Sequence, residues 1–449
     1  MIFHLQAFKK LQEGNYVEAL PLFLNLEKTN PTSVEILSSI GLILLETNTD
    51  INQSIEYFKK TISILEKTNR SNDIAVMYNN IGICFSKLDN NIEAIKFYTK
   101  AIKLIPNYSK CLHNLGVSYK KLKQYDNAIR HFRESLKYEN IPDSHLDLSL
   151  CLLYKNIKDI SAWKEYEWRF KTIQGSFEIP NIMPNDLADL KNKTLLLYSE
   201  QGFGDSLQFI RYTKLLKSYG LKKLIVICHK ELFSLYKNDI NIDECKIFGE
   251  KHSAYDYRCA FMSLPLFLNK FPNHQYLNIS EYKNSFWFKK MQGISGKKVG
   301  IFWQGNPRPN DEISNNIDKA RSIQLMLLEP LFNISGISFI SLQKHDNTNQ
   351  IINYPFIINF MDEVESFEDT AAIISNLDLV ISVDSSVSHL TGGLNKPIWL
   401  LNRWNGCWRW GKSSKKTIWY PSMTIYRQQE KDNWEYVIEN IKQDLIKFF

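Results

Sequence analysis

The chain has 449 residues, enough for two to four domains at about 100–200 residues each. Hydrophobic residues make up 44% and aromatic residues 13%, which supplies ample core and excludes a disordered chain. The net charge of +7 is small for this length; it permits a weakly basic groove without demanding nucleic acid, and Lys-rich helices that keep the chain in solution account for it.

The N-terminus, Met1-Ile-Phe-His-Leu-Gln-Ala-Phe-Lys-Lys10, has no basic region followed by a long apolar core, so no signal peptide is expected. No run of 18 or more apolar residues occurs, so no transmembrane segment is expected either. The cysteines, Cys84, Cys111, Cys151, Cys228, Cys245, Cys259 and Cys407, are odd in number and include no Cys-x-x-Cys. That pattern fits scattered thiols in a reducing cytoplasm better than a disulfide or zinc framework.

The first 170 or so residues repeat. Tyr78, Ile81, Gly82, Phe85, Ala94, Tyr98, Ala101 and Pro106 mark one unit; Leu112, Leu115, Gly116, Tyr119, Ala128, Phe132 and Ser135 mark the next. Gly82 and Gly116 stand 34 residues apart, the tetratricopeptide period. The glycine lets the first helix of a pair approach its neighbour, the alanines let the second nest, and the aromatics fill the remaining space. An earlier unit surrounds Gly41, Phe58 and Thr61, and a compressed one carries Gly14, Tyr16, Ala19, Phe23 and Pro31. A degenerate fifth unit runs through Leu146–Leu153 and Trp163–Phe170, and its aromatic run is expected to dock the array onto the C-terminal part of the chain. Such repeats stack into a superhelix with a concave face, which suits a protein or peptide groove; a spacer or dimerisation stalk is the alternative.

Residues 171–193, with Gly175, Pro180 and Pro184, are irregular and read as a linker. Strand and helix alternate from 194 onward. Thr194–Tyr198 is a short apolar strand, Gly202 and Gly204 form a turn, and a helix begins at once. Glycines there let backbone approach a ligand, and the helix start offers N–H groups to an anion. Asp205 sits in that mouth, where a carboxylate either caps the helix or takes a proton from a substrate hydroxyl. No Gly-Lys-Ser/Thr follows and the third Rossmann glycine is missing, which excludes a P-loop and a dinucleotide fingerprint.

Further strands are predicted at Lys223–Cys228, Cys245–Phe248 and Tyr257–Met262, then at Lys298–Trp303, Ile337–Leu342, Phe356–Phe360 and Leu379–Val383. Alternation of this kind implies two parallel sheets covered on both faces, joined near Glu281–Gly296 and leaving a cleft between them. The second half repeats the strand–polar loop–helix pattern at Leu379–His389: Asp384, Ser385 and Ser386 offer oxygens and N–H groups to phosphates or a ribose. Capping by Asp384 and Ser385, with His389 as a packing residue, is the plainer alternative. Two mirrored sites facing one cleft favour the ligand.

Taken together, Glu200-Gln-Gly-Phe-Gly-Asp205 with Gln208, Phe209 and Arg211, then Gly300-Ile-Phe-Trp-Gln-Gly-Asn-Pro307, Arg321-Ser322, Ser341-Leu-Gln343 and Val383–Leu390, carry a resemblance. With the tail Trp408-Arg-Trp410, Trp419-Tyr-Pro421 and Arg427-Gln428, nearly the whole chain resembles bacterial tetratricopeptide-repeat proteins with a glycosyltransferase family nine, heptosyltransferase-like domain. The resemblance implies an α + α/β chain: a tetratricopeptide superhelix over 1–170, a linker over 171–193, and a GT-B fold of two Rossmann-like domains. The acceptor-side domain spans 194–290, and the nucleotide-sugar domain with its C-terminal helix spans 297–449.

It further implies an inverting, metal-independent transfer with no cofactor beyond a nucleotide-diphosphate sugar as donor substrate. Asp205 matches the catalytic base, with Glu200 as the competing carboxylate. Asp384, Ser385, Ser388 and His389 match the loop that holds the nucleotide diphosphate, and Arg321, with Lys319 second, the basic residue that neutralises it. Gly202, Gly204, Trp303, Gln304, Asn306, Gln343 and Ser386 complete the donor-binding set. The same architecture occurs in O-GlcNAc transferases and some flagellin glycosyltransferases, so the expected acceptor is a protein on the repeat groove, for example a surface or flagellar protein, in the cytoplasm. Transfer to a lipopolysaccharide or other glycan, and a catalytically inactive scaffold, are the alternatives.

Overall fold

The computed structural model describes residues 2–172, 181–306, 312–344, 349–412 and 414–449, so Gly175, Pro180 and Pro307 lie outside the described residues. The chain divides into two compact units. One comprises residues 1–155 with 164–175, the other 156–163 with 176–449.

The first unit is built from helix pairs: Ile2–Gln12 with Tyr16–Thr29, Val34–Thr47 with Ile51–Leu65, Ser71–Lys87 with Asn91–Leu104, and Ser109–Lys121 with Tyr125–Tyr138, followed by Pro142–Lys155. Local sequence sets the helix starts. Asn15, Ser33, Asp50 and Asn90 each accept the backbone N–H three residues on, which satisfies a donor that the helix leaves open. A Cβ on Gly41, Gly82 or Gly116 would lie 2.8, 2.4 or 2.6 Å from the ring of Phe58, Tyr98 or Phe132. Each glycine is therefore the seat of the aromatic ring of its own partner helix, a more specific role than close approach in general. From Val34–Thr47 to Pro142–Lys155 the first helices of successive pairs also touch one another and make a continuous layer. Polar rungs cross that layer: Asn114 donates to Asn79 at 3.1 Å, His113 pairs with Ser144 at 2.9 Å, and Lys120 pairs with Asp147.

The second unit holds two all-parallel sheets. The first contains β1 (Thr194–Tyr198), β2 (Lys223–Cys228), β3 (Glu244–Ile247) and β4 (Tyr257–Ala260), in the order β3-β2-β1-β4. The second contains β5 (Lys297–Phe302), β6 (Ile337–Ser341), β7 (Ile358–Asn359), β8 (Leu379–Val383), β9 (Ile398–Asn402) and β10 (Met423–Arg427). Its order, β7-β6-β5-β8-β9-β10, is that of a doubly wound Rossmann sheet, and the first sheet is a shorter version of it. The fold is thus tetratricopeptide helices followed by two Rossmann-like α/β domains. Strands β8 and β9 are buried along their whole length, as parallel strands covered on both faces must be.

Two segments were not anticipated. Strands β9 and β10 extend the second sheet beyond the predicted elements. Residues 181–193, read as linker, belong to the second unit: Ile182 bridges Arg258 of β4, and the Asn181 side chain accepts from the Ala260 N–H at 2.8 Å and donates to Ser263 at 2.8 Å. Trp163 also belongs to this unit. It is fully buried, with its ring edge-on to Trp408 at 5.4 Å and to Phe209 at 6.2 Å.

Candidate functional site

In both sheets the strand order reverses beside the first strand, between β1 and β4 and again between β5 and β8. A crevice opens at the carboxyl ends of such strand pairs, where neighbouring loops depart in opposite directions. Both polar loops singled out in the sequence emerge there.

At the end of β1, Gln201 takes a left-handed backbone, φ 57°, a conformation that costs a non-glycine residue about 1 kcal/mol or more. The turn is held by His229, whose Nε2 lies 3.1 Å from the Gln201 carbonyl. The helix Phe203–Phe209 follows, with Gly202 as its N-cap. Asp205 reaches back to accept the Gly202 N–H at 3.0 Å through Oδ2, and its Oδ1 pairs with the Arg409 guanidinium. Glu200 is buried and accepts the Met262 N–H at 3.0 Å, so its carboxylate ties the end of β1 to the end of β4.

At the end of β5, Gln304 and Gln343 lock two loops together: the Gln304 N–H donates to Gln343 Oε1 and Gln343 Nε2 donates to the Gln304 carbonyl, both at 3.0 Å. Gly305 donates to Ser322 Oγ at 2.9 Å and leaves no room for a side chain beside Arg321. Trp303 lies fully inside the core of this domain, while Asn306 and Lys319 are exposed. At the end of β8, Ser385 caps the helix Ser386–Gly393 in a box with Ser388: the Ser385 N–H donates to Ser388 Oγ at 3.0 Å, and that hydroxyl donates to the Val383 and Ser385 carbonyls. Arg321 bridges the loops by donating to the Asp384 carbonyl at 3.0 Å while pairing with Asp318.

The two mouths meet. A Cβ on Gly204 would come within 2.9 Å of the His389 ring and 3.7 Å of the Ser386 backbone, so the two helix starts pack directly on each other. Arg409 ties them further, donating to Gln208 Oε1 at 2.6 Å, to the Cys407 sulfur at 3.1 Å and to Asp205. Behind them a fully buried Arg211 donates to the carbonyls of Gln208 (2.6 Å), Pro272 (2.9 Å) and Trp419 (2.7 Å) and to the Tyr276 hydroxyl (3.2 Å). The Tyr420 hydroxyl joins the same chain of contacts, 2.8 Å from His389 Nδ1 and 3.4 Å from the Tyr276 hydroxyl.

Electrostatically the junction is a cluster of arginines. Burial, and then the charges of Arg409, Arg211 and Arg321, hold His389 well below the ordinary imidazole range, so it is neutral. Burial lowers Arg403 as well, and the Asp384 carboxylate acts against that. Arg403 donates to the Ile317 carbonyl at 3.1 Å and leaves its Nε without a partner among the described residues, as does Arg321. Guanidinium groups pair well with carboxylates and phosphates.

Gly204, Asp205, Ser386 and His389 therefore converge, as do Arg321 and Asp384; Gln304 and Gln343 meet as a pair that shapes the loop. Arg403 and Asp318 were not singled out in the sequence, and Arg409 and Tyr420 were noted only within the segments Trp408–Trp410 and Trp419–Pro421. The one usable signal was the triplet Trp408-Arg-Trp410, where a charged residue between two indoles implies a buried guanidinium.

The fold defines a class: tetratricopeptide repeats followed by two Rossmann-like α/β domains. Models of the tetratricopeptide repeat match residues 75–108 and 109–140, and no glycosyltransferase family model matches. The chain is 22% identical over 460 residues to Protein FlbA of Caulobacter vibrioides, across 93% of this chain and 73% of that one. It is 27% identical over 123 residues to the Peroxisomal targeting signal receptor of Candida albicans, across 27% of this chain and 20% of the receptor. Among solved structures, MamA from Desulfovibrio magneticus RS-1 is 15% identical with a TM-score of 0.32, covering 40% of this chain and 96% of that one.

Proposed function

We propose that the chain is a GT-B glycosyltransferase that moves a sugar from a nucleotide-diphosphate donor to an acceptor hydroxyl, with inversion and without a metal. The observation that carries this reading is the arginine cluster at the switch point of the second sheet, Arg321 and Arg403 beside Asp384, facing the Asp205 mouth of the first. In the reaction the acceptor oxygen bonds to the sugar's anomeric carbon and its proton passes to Asp205. The bond from that carbon to the phosphate oxygen breaks, and its electron pair leaves on the diphosphate. Arg321 and Arg403 stabilise that charge, and the N–H groups at Ser386 add to it. Asp205 is the better base than Glu200, whose carboxylate is buried against the Met262 N–H.

The acceptor in this reading is a protein held by the first-helix layer of the repeats, where polar rungs recur from pair to pair. A second reading, a catalytically silent scaffold, draws on the two partners that already occupy Asp205. A screen of nucleoside-diphosphate sugars for binding and product release, run in EDTA, separates them. The transferase should bind a donor in EDTA and lose affinity in Arg321→Ala; strict dependence on Mg²⁺ or Mn²⁺ would sink the assignment. A chain beginning at residue 156 should still bind the nucleotide yet fail to modify the protein acceptor. Undiminished modification would make the repeats a stalk and point to a glycan acceptor.

A further inference from the structure

Three arginines of the junction already have an aspartate, whereas Arg211 is held by carbonyls and a hydroxyl. Arg409 pairs with Asp205, Arg321 with Asp318, and Arg403 lies in the field of Asp384. The pairs are not equivalent. Asp318 and Asp384 belong to the same domain as their arginines, whereas Asp205 belongs to the other Rossmann-like domain. Arg409 also stands between the two mouths. Its Nε donates to Gln208 Oε1, while its two terminal nitrogens reach Asp205 and the Cys407 sulfur, and both its own charge and the Asp384 carboxylate act on Cys407. A thiol is a weak acceptor, so a phosphate oxygen arriving beside it is the better partner. Asp205, in turn, is not left bare when Arg409 turns away, because its Oδ2 keeps the Gly202 N–H.

We propose that the donor's diphosphate and Asp205 compete for Arg409. In the donor-free protein Arg409 holds the carboxylate; the bound diphosphate draws the guanidinium to itself and releases Asp205 to accept the proton. This rests on the transferase reading and adds an order of events, since the base is uncovered only where a leaving group is in place. An acceptor arriving first meets a carboxylate engaged by an arginine. Only Nη2 of Arg409 meets Asp205, and a guanidinium N–H pairs with a carboxylate or a phosphate alike.

The test is calorimetric titration of full-length protein with UDP, GDP, ADP, CDP and dTDP, followed by a double-mutant cycle with the tightest binder. Asp205→Asn should tighten binding by about tenfold or more, the coupling expected of a close interfacial charge pair. Damage to the site would not produce that gain. Arg409→Gln should weaken binding, and in its background Asp205→Asn should change nothing beyond about twofold. If Arg409→Gln does not fold, Arg409→Lys replaces it, and the gain from Asp205→Asn should shrink because one ammonium cannot serve Gln208, Cys407 and Asp205 at once. An unchanged affinity in Asp205→Asn overturns the competition. So does an equal gain with and without Arg409, which would be repulsion through space. Binding that needs Arg321 but ignores Asp205 overturns this inference alone, whereas no binding by any member of the panel overturns the transferase reading with it.

Discussion

Arg211 offers the sharpest test of how the two Rossmann-like domains hold together. Its guanidinium is fully buried, donates to three carbonyls and one hydroxyl, and stacks within 4.7, 5.1 and 4.6 Å of the rings of Tyr276, Trp419 and Tyr420. Arg211→Met keeps much of the volume and removes every donor. The carbonyls of Gln208, Pro272 and Trp419 then lose the guanidinium's bonds inside a packed interface. Hydrogen bonds to a charged group contribute about 1.5–3 kcal/mol each, but they are not additive and the pocket relaxes, so a loss of about 3–5 kcal/mol is expected. With a urea slope of about 3 kcal/mol per molar, the midpoint of the α/β unit should fall by about 1–1.7 M. Tryptophan emission is a suitable signal, since Trp419 lies against Arg211. Arg211→Lys should recover less than about half, because one ammonium cannot span acceptors spread over Gln208, Pro272 and Trp419. A Met variant within about 1 kcal/mol of wild type would refute the claim that this charge cements the interface.

Asp205→Asn should fold normally and lose transfer by about 10²–10⁴-fold in a product-release assay; wild-type turnover would make Asp205 only a cap. Gly82→Ala places a methyl group 2.4 Å from the Tyr98 ring and should destabilise the repeats by about 1–3 kcal/mol in thermal melts followed by circular dichroism, with Tyr98→Leu restoring part of the loss. His131 is held down to about 4 by burial and then by Arg130, so the unfolded chain takes up its proton first. The repeats should therefore lose stability as the pH falls from about 6.5 toward that value, and His131→Phe should flatten this slope while keeping the stack on Tyr119. A slope unchanged in the variant would remove His131 from the account.

The parts of the molecule that were legible in the sequence are those whose physics is local. The spacing of Gly82 and Gly116 announced the repeats because each glycine answers an aromatic ring on the next helix, a pairing that recurs at fixed separation. The loops at Gly202–Asp205 and Asp384–Ser386 were visible because an apolar run stops abruptly at small and polar residues. Arg409 was not assigned a role because its partner Asp205 is 204 positions away, and only the packing of one domain on the other brings them together. Strand β9 was hidden for a different reason: Ile398-Trp-Leu-Leu401 is apolar throughout, and such a run fits a buried helix as well as a buried strand. Residues 181–193 look like a linker in composition, yet Asn181 and Ile182 bind the edge of β4, a contact that no local pattern encodes.

The burial of Trp163 bears on how such chains can be recombined. A cut placed in the polar, proline-containing stretch that composition marks as the joint leaves this indole with the repeats and opens a hole between Phe209 and Trp408 in the α/β half. The packing changes hands more than once in this stretch: Asn156–Trp163 belong to the α/β unit, and from Lys164 the chain returns to the repeat unit. A chimera that imports a foreign array should therefore keep Asn156–Trp163 from the recipient. The interchangeable module is discontinuous in sequence, where the repeat period suggests a single block.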